Sequence, residues 1–200
     1  MLWKYIFLSY TSIRSQFFRK GGCMMNRQQL IAPKHYNLVE EIEKHAGEKL
    51  ALIIQEENGT VEKVSYNNLL AKANQVANVF KASGLEKGDV ALVMLPRSLD
   101  AYVTYIGALK IGLVIIPSSE LLRAKDIDYR IKHADAKVIV AAEQYIEEFE
   151  HVEQLTGLKL FVTGQAKGNW ASLMEQASEQ PITLEAVETL ANDVAFLAYT

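Results

Sequence analysis

The chain has 200 residues, half of them hydrophobic and 22% charged, with a formal net charge of −3, enough apolar material for a sizeable core. Residues 1–39 carry Lys4, Arg14, Arg19, Lys20, Arg27 and Lys34 without an acid, so the remainder stands at −9 and offers no basic footprint for nucleic acid. No run reaches the roughly 18 consecutive apolar residues of a membrane-spanning helix, and the single cysteine, Cys23, cannot close an internal disulfide. A soluble globular chain in a reducing, cytoplasmic setting is the expectation.

The opening MLWKYIFLSYTSIRSQFFRKGG is aromatic and basic, but Lys4, Ser9, Tyr10, Thr11 and Ser12 interrupt any signal-peptide core. Three readings stand open: a peripheral membrane or targeting segment, a packed helix, and a poorly ordered or spurious extension upstream of a true start at Met24 or Met25. The last is preferred, which sets residues 1–25 apart from a domain over 26–200.

Regular patterning begins near residue 34. HYNLVEEIEKHAG predicts a short helix stopped by Gly47. LALIIQE (50–56), the tight turn Asn58-Gly59 and VEKVS (61–65) predict a β-hairpin. Ser65 can cap a helix whose apolar positions are Leu69, Leu70, Ala73, Val76, Ala77 and Phe80. VALVML (90–95) is an almost pure apolar strand ended by Pro96.

SLDAYVTYIGALKIG predicts a helix with Leu99, Tyr102, Val103, Ile106 and Leu109 on its face; Gly107 within it either costs stability or lets a neighbour approach. LVII (113–116) is the next strand, then a polar turn over 118–123 and a helix over 124–134. KVIVAA (137–142) reads as strand, YIEEFEHVEQL (145–155) as helix, LKLFVT (158–163) as strand and NWASLMEQAS (169–178) as helix. A looser PITLEAVETL leads to VAFLAY, which reads as a buried final strand. Continuous apolar strands alternating with amphipathic helices imply an α/β fold: a layered, mainly parallel sheet flanked by helices, with an N-terminal β-hairpin. Ligand sites in such sheets lie beyond the carboxyl ends of the strands.

There is no G-x-G-x-x-G, no complete Walker A and no G-x-S-x-G. His35, His45, His133 and His151 are scattered without metal-site spacing, and the acidic pairs Glu40-Glu41 and Glu147-Glu148 suit solvated helix faces. Two loops stand out. Pro96-Arg97-Ser98 and Pro117-Ser118-Ser119 each follow an apolar strand and precede a helix, so their hydroxyls and amides can cap the helix or face an anion.

Four segments together resemble the N-terminal part of the AMP-forming acyl-CoA synthetases, within the adenylate-forming superfamily. They are VSYNNLLAKANQVANVFKASGLEKGDVALVMLPRS (64–98), YIGALKIGLVIIPSS (105–119), DIDYRIKHADAKVIVAA (126–142) and NDVAFLAYT (192–200). PSSELLRAKDIDYR is nearest the medium-chain branch. The family's phosphate loop begins Tyr-Thr-Ser-Gly-Thr-Thr-Gly, and Tyr199-Thr200 matches its first two residues. The chain is thus expected to be an incomplete N-terminal part of that fold, its further partner being the C-terminal part of the same enzyme.

The resemblance implies that a small-molecule carboxylate, a short- or medium-chain fatty acid, attacks the α-phosphate of ATP with Mg2+, releasing pyrophosphate. Coenzyme A then takes the acyl group from the adenylate. Thr200 is the residue implied for ATP binding, and Ser118 and Ser119 fall near the pantetheine route, though glycines often found there are replaced. No catalytic residue, metal ligand or chain-length determinant is assigned within 1–200, and the chain alone is expected to be inactive. An adenylation module loading a carrier protein and a non-catalytic fragment remain open readings.

Overall fold

The computed structural model describes residues 33–55 and 59–199; the expected extension at 1–25, Cys23, Asn58 and Thr200 lie outside the described residues. From Lys34 onward the described residues belong to one compact unit. Asn37 caps a short helix, α1 (Leu38–Glu43), by accepting the Val39 N–H at 2.9 Å. Only Val39 of this helix is buried; Leu38 is exposed, and the helix ends before Gly47. β1 (Leu50–Gln55) and β2 (Val61–Ser65) pair antiparallel as the predicted hairpin, separate from the main sheet.

Ser65 accepts the Asn68 N–H and starts α2 (Tyr66–Ala82), whose six predicted apolar positions are all buried. β3 (Val90–Met94), α3 (Leu99–Lys110), β4 (Val114–Pro117), α4 (Ala124–Ala134) and β5 (Ala136–Ala141) follow. Beyond them come a 3-10 turn (Glu143–Tyr145), α5 (Ile146–Phe149), β6 (Lys159–Val162), β7 (Ala171–Ser172) and α6 (Leu173–Ser178). The sheet order is β4-β3-β5-β6-β7, all parallel.

Why β3, and β5 from Val138 onward, are continuously apolar is visible in their burial, the exposed Lys137 lying at the start of β5. Ala91, Val93, Val138 and Val140 face one core with α2, α3 and α6, while Leu92, Met94, Ile139 and Ala141 face the other with α4 and α5. A strand covered on both faces has no position to spare for a polar side chain. Each fully buried Val, Leu or Ile contributes about 1.5–3 kcal/mol of transfer free energy, offset by chain entropy.

α3 differs from its predicted face. Tyr102 is exposed, Leu99 and Leu109 are half-buried, and the packed side adds Thr104, Gly107, Ala108 and Lys110. A Cβ at Gly107 would come within 2.9 Å of the Ala73 carbonyl, so this glycine serves the close approach of α2 and not a turn.

Three predicted elements are corrected. The helix expected over 145–155 stops at Phe149, because the Asp128 carboxylate accepts the Glu153 and Gln154 N–H groups at 2.9 and 3.0 Å and takes them out of a helical ladder. The helix expected over 169–178 begins only at Leu173; Ala171 and Ser172 join the sheet and Ser172 accepts the Glu175 N–H as cap. VAFLAY is extended but not buried: it meets β4 through a single parallel bridge, Ile115 to Phe196, with Val194 and Phe196 exposed. Its outer edge has no described partner strand, so burial comes from one side only.

Candidate functional site

The crossovers from β3 to β4 and from β5 to β6 leave in opposite directions, which makes the carboxyl ends of β3 and β5 the switch point of the sheet. Backbone bonds bring these ends level: Ser118 N–H donates to the Val93 carbonyl at 2.9 Å, and Ala142 N–H to that of Met94 at 3.0 Å. The rim they form carries Arg97-Ser98, Ser118-Ser119 and Glu143.

Each rim hydroxyl has a local partner. Ser98 accepts the Ala101 N–H at 3.2 Å and caps α3. Ser118, half-buried, donates to the Ile116 carbonyl at 3.3 Å, and Ser119, exposed, accepts the Leu121 N–H at 3.2 Å. Capping and turn formation thus account for these serines, one of the two uses their loops allow. Arg97 is exposed between them.

The last segment runs along β4. Ile115 N–H donates to the Ala195 carbonyl and Leu197 N–H returns to the Ile115 carbonyl, both at 2.9 Å. Parallel to β4, the segment advances toward the end where Ser118 lies. Tyr199 then rests on α4: its hydroxyl is 2.9 Å from His133 Nδ1, the Arg130 guanidinium lies 5.0 Å over its ring, and Tyr129 meets it edge-on. Burial raises the Tyr199 phenol pKa above its ordinary value and neighbouring Tyr129 adds to this, while Arg130 opposes both. Thr200, the residue implied for ATP, follows this anchored tyrosine and lies outside the described residues.

A strap over residues 179–193 leads to that segment, held mostly by side chains. Gln75 donates to the Gln180 carbonyl, Asn74 to Ile182, and Asn78 to Pro181 and Thr183, at 2.8–3.2 Å. Farther along, Lys87 donates to the Glu188 carbonyl and pairs with Asp193, while Thr189 donates to the Tyr36 carbonyl at 2.6 Å. Asp193 sits below the ordinary aspartate pKa because it accepts the Leu190 N–H and then because of Lys87. Sequence reasoning missed these holders. The amides at 74, 75 and 78, clustered at i, i+1 and i+4 of the helix, were the available signal.

Two clefts stand out among the described residues. One of about 310 Å3 lies under residues 189–196, lined by Leu38, Leu109, Leu113, Leu190, Val194 and Phe196 among others. The other, of about 360 Å3, lies beside α5 and includes Phe149, Leu160, Lys167 and Trp170. Neither is lined by Ser118, Ser119 or Arg97. Among the described residues no group of three His, Cys, Asp or Glu side chains could hold a metal ion, so the Mg2+ expected with ATP finds no ligand set here, and no helix is long and apolar enough to cross a membrane. His35 pairs with Glu188, His45 lies against Tyr66 and His133 meets Tyr199, which gives three of the four histidines structural partners.

Residues 38–200 match the family described as AMP-binding enzyme. An uncharacterized acyl-CoA ligase of Bacillus subtilis, YtcI, is 39% identical over 179 residues, 88% of this chain and 34% of that protein. The human mitochondrial acyl-coenzyme A synthetase ACSM2B is 29% identical over 72% of this chain and 26% of its own length. The chain thus spans about a quarter to a third of the curated relatives named. Among solved structures, an acyl-CoA synthetase of Brucella canis superposes with a TM-score of 0.78 at 20% identity, over 83% of this chain and 31% of that one, which speaks to the fold alone. MatB from Rhodopseudomonas palustris superposes with a TM-score of 0.69 at 27% identity, over 82% of this chain and 32% of its own.

Proposed function

The chain belongs to the family of AMP-binding enzymes, and on that premise we propose that it forms the N-terminal scaffold of an ATP-dependent acid:CoA ligase. The full enzyme joins a carboxylic acid to the α-phosphate of ATP, releases pyrophosphate, and passes the acyl group to coenzyme A. A short- or medium-chain fatty acid is the substrate class proposed, supported by the resemblance of residues 117–130 to the medium-chain branch. Cytoplasmic residence is proposed with it.

One observation carries the reading: residues 194–197 run parallel to β4, on its outer edge, in the direction of the carboxyl end of the sheet. A phosphate loop starting there would place its backbone amides and hydroxyls where such sheets bind anions. Thr200 is proposed to contact the ATP phosphates, and Ser118 and Ser119 to border the pantetheine route through their backbone, since their hydroxyls are engaged locally. The chain's own contribution is binding and orientation; charge stabilisation in the transition state falls to residues outside 1–200.

The test is a chimera in which this chain replaces the corresponding third of the Bacillus subtilis ligase. Acid-dependent pyrophosphate release followed by a CoA thioester is the expected result. Thioester on a carrier protein but never on free CoA would point instead to an adenylation module, and no acid-dependent pyrophosphate from a folded chimera would refute the proposal.

A further inference from the structure

An ammonium taken out of water costs several kcal/mol unless every proton finds an acceptor, so a buried lysine is retained only with a full set of partners. Lys110, the last residue of α3, is 1% exposed and one of the largest fully buried side chains. Its ammonium pairs with the Glu43 carboxylate of α1 and donates to Asn74 Oδ1 of α2 at 2.6 Å. The other end of that Asn74 amide donates to the Ile182 carbonyl of the strap at 2.8 Å. The Lys110 carbonyl, in turn, accepts the Val187 N–H at 2.9 Å and the Asn37 amide at 3.4 Å. One residue therefore reaches α1, α2 and two points on the strap.

Beyond Val187 the chain is fixed by polar bonds more than by burial: Lys87 reaches Glu188 and Asp193, Tyr36 and Thr189 exchange two bonds, and the Ala191 N–H donates to the Lys34 carbonyl at 3.0 Å. Leu190, Val194 and Phe196 are 37%, 55% and 45% exposed, and the 310 Å3 cleft lies under 189–196. Apolar burial gives this stretch a weak hold, so its course depends on polar bonds at its root, to residues 34–36 and Lys87, and at the β4 edge.

We propose that Lys110 is a positioning residue: its buried ammonium, held between Glu43 and Asn74, locks the root of the strap and so helps fix the path of the segment that runs along β4 to Tyr199. The purpose given to Thr200 rests on the function proposed above; the lock itself does not. A packing role alone predicts something different. Methionine at 110 would fill similar volume, and Glu43, with its side chain about one-third exposed (34%), could turn to water, which leaves Asn74 and the strap as the groups that lose their partner.

Site-resolved amide hydrogen exchange on the 200-residue chain tests this without nucleotide, so its outcome is independent of the ligase assay. Lys110→Met is expected to speed exchange at Val187 and Leu197 by about tenfold, while the Ile139 and Val140 amides of β5 change by less than about twofold. Equal acceleration in both places, or none in the strap, would overturn the proposal. Should Lys110→Met fail to fold, Asn74→Ala must accelerate the same strap amides, and native rates there would overturn it equally.

Discussion

β3 and β5 are held by burial on both faces, whereas residues 179–199 are held by polar bonds, from side chains that reach their backbone and from the backbone of Lys34, Tyr36, Lys110 and Ile115. Leu92, Val93, Ile139 and Val140 are all fully buried, and their ladder bonds are shielded from water. The strap instead hangs on Asn74, Gln75, Asn78, Lys87 and Lys110, with several of its own apolar residues exposed. The difference teaches that the scaffold and the segment it aims have separable stabilities. Core burial should set global unfolding, and polar bonds should set local opening.

The largest effect is expected in the core. Ile139→Ala removes a fully buried side chain that packs against the face shared with α4 and α5, and should cost about 2–5 kcal/mol in urea unfolding, with strap and core lost together. A loss below about 1 kcal/mol would show that β5 is not the centre of the core. Next comes Gly107→Ala, which forces α2 and α3 apart at the Ala73 carbonyl and should cost about 1–3 kcal/mol in the same measurement. A neutral result would mean that the two helices adjust without loss.

Strap variants should separate the two regions. Asn78→Ala removes donations to Pro181 and Thr183 and is expected to cost about 1 kcal/mol at most, while limited proteolysis within 180–190 quickens clearly. Cleavage at the native rate would break the comparison. Smallest is the acid response of Asp193. Its pKa is lowered in the folded chain, so its contribution is complete above the ordinary aspartate value near pH 4 and fades as pH falls through the lower folded value. Strap proteolysis should therefore quicken only below about pH 4, and Lys87→Met should diminish that response.

Much of the scaffold is legible in the sequence because its signals are local. The apolar face of α2, the Ser65 cap and the apolar runs of β3 and of β5 after Lys137 each reflect a few neighbouring residues. The misread elements depend on distant partners. Asp128 ends α5 by capturing amides 25 and 26 residues away, and the exposure of VAFLAY reflects which strands flank it, which its composition does not encode. The rim loops were visible as Pro-x-Ser patterns, but the local bonds that occupy Ser118 and Ser119 were not. Lys110 was hidden for a different reason: a lysine in a helix is normally solvated, and only the convergence of Glu43 and Asn74 makes its burial tolerable.

On the function proposed above, residues 34–199 are a scaffold that does not by itself hold a complete nucleotide site. Calorimetric titration of Mg-ATP into the folded 200-residue chain tests that most directly. The predicted result is no saturable one-to-one binding at micromolar chain concentrations; tight stoichiometric binding of ATP would contradict it.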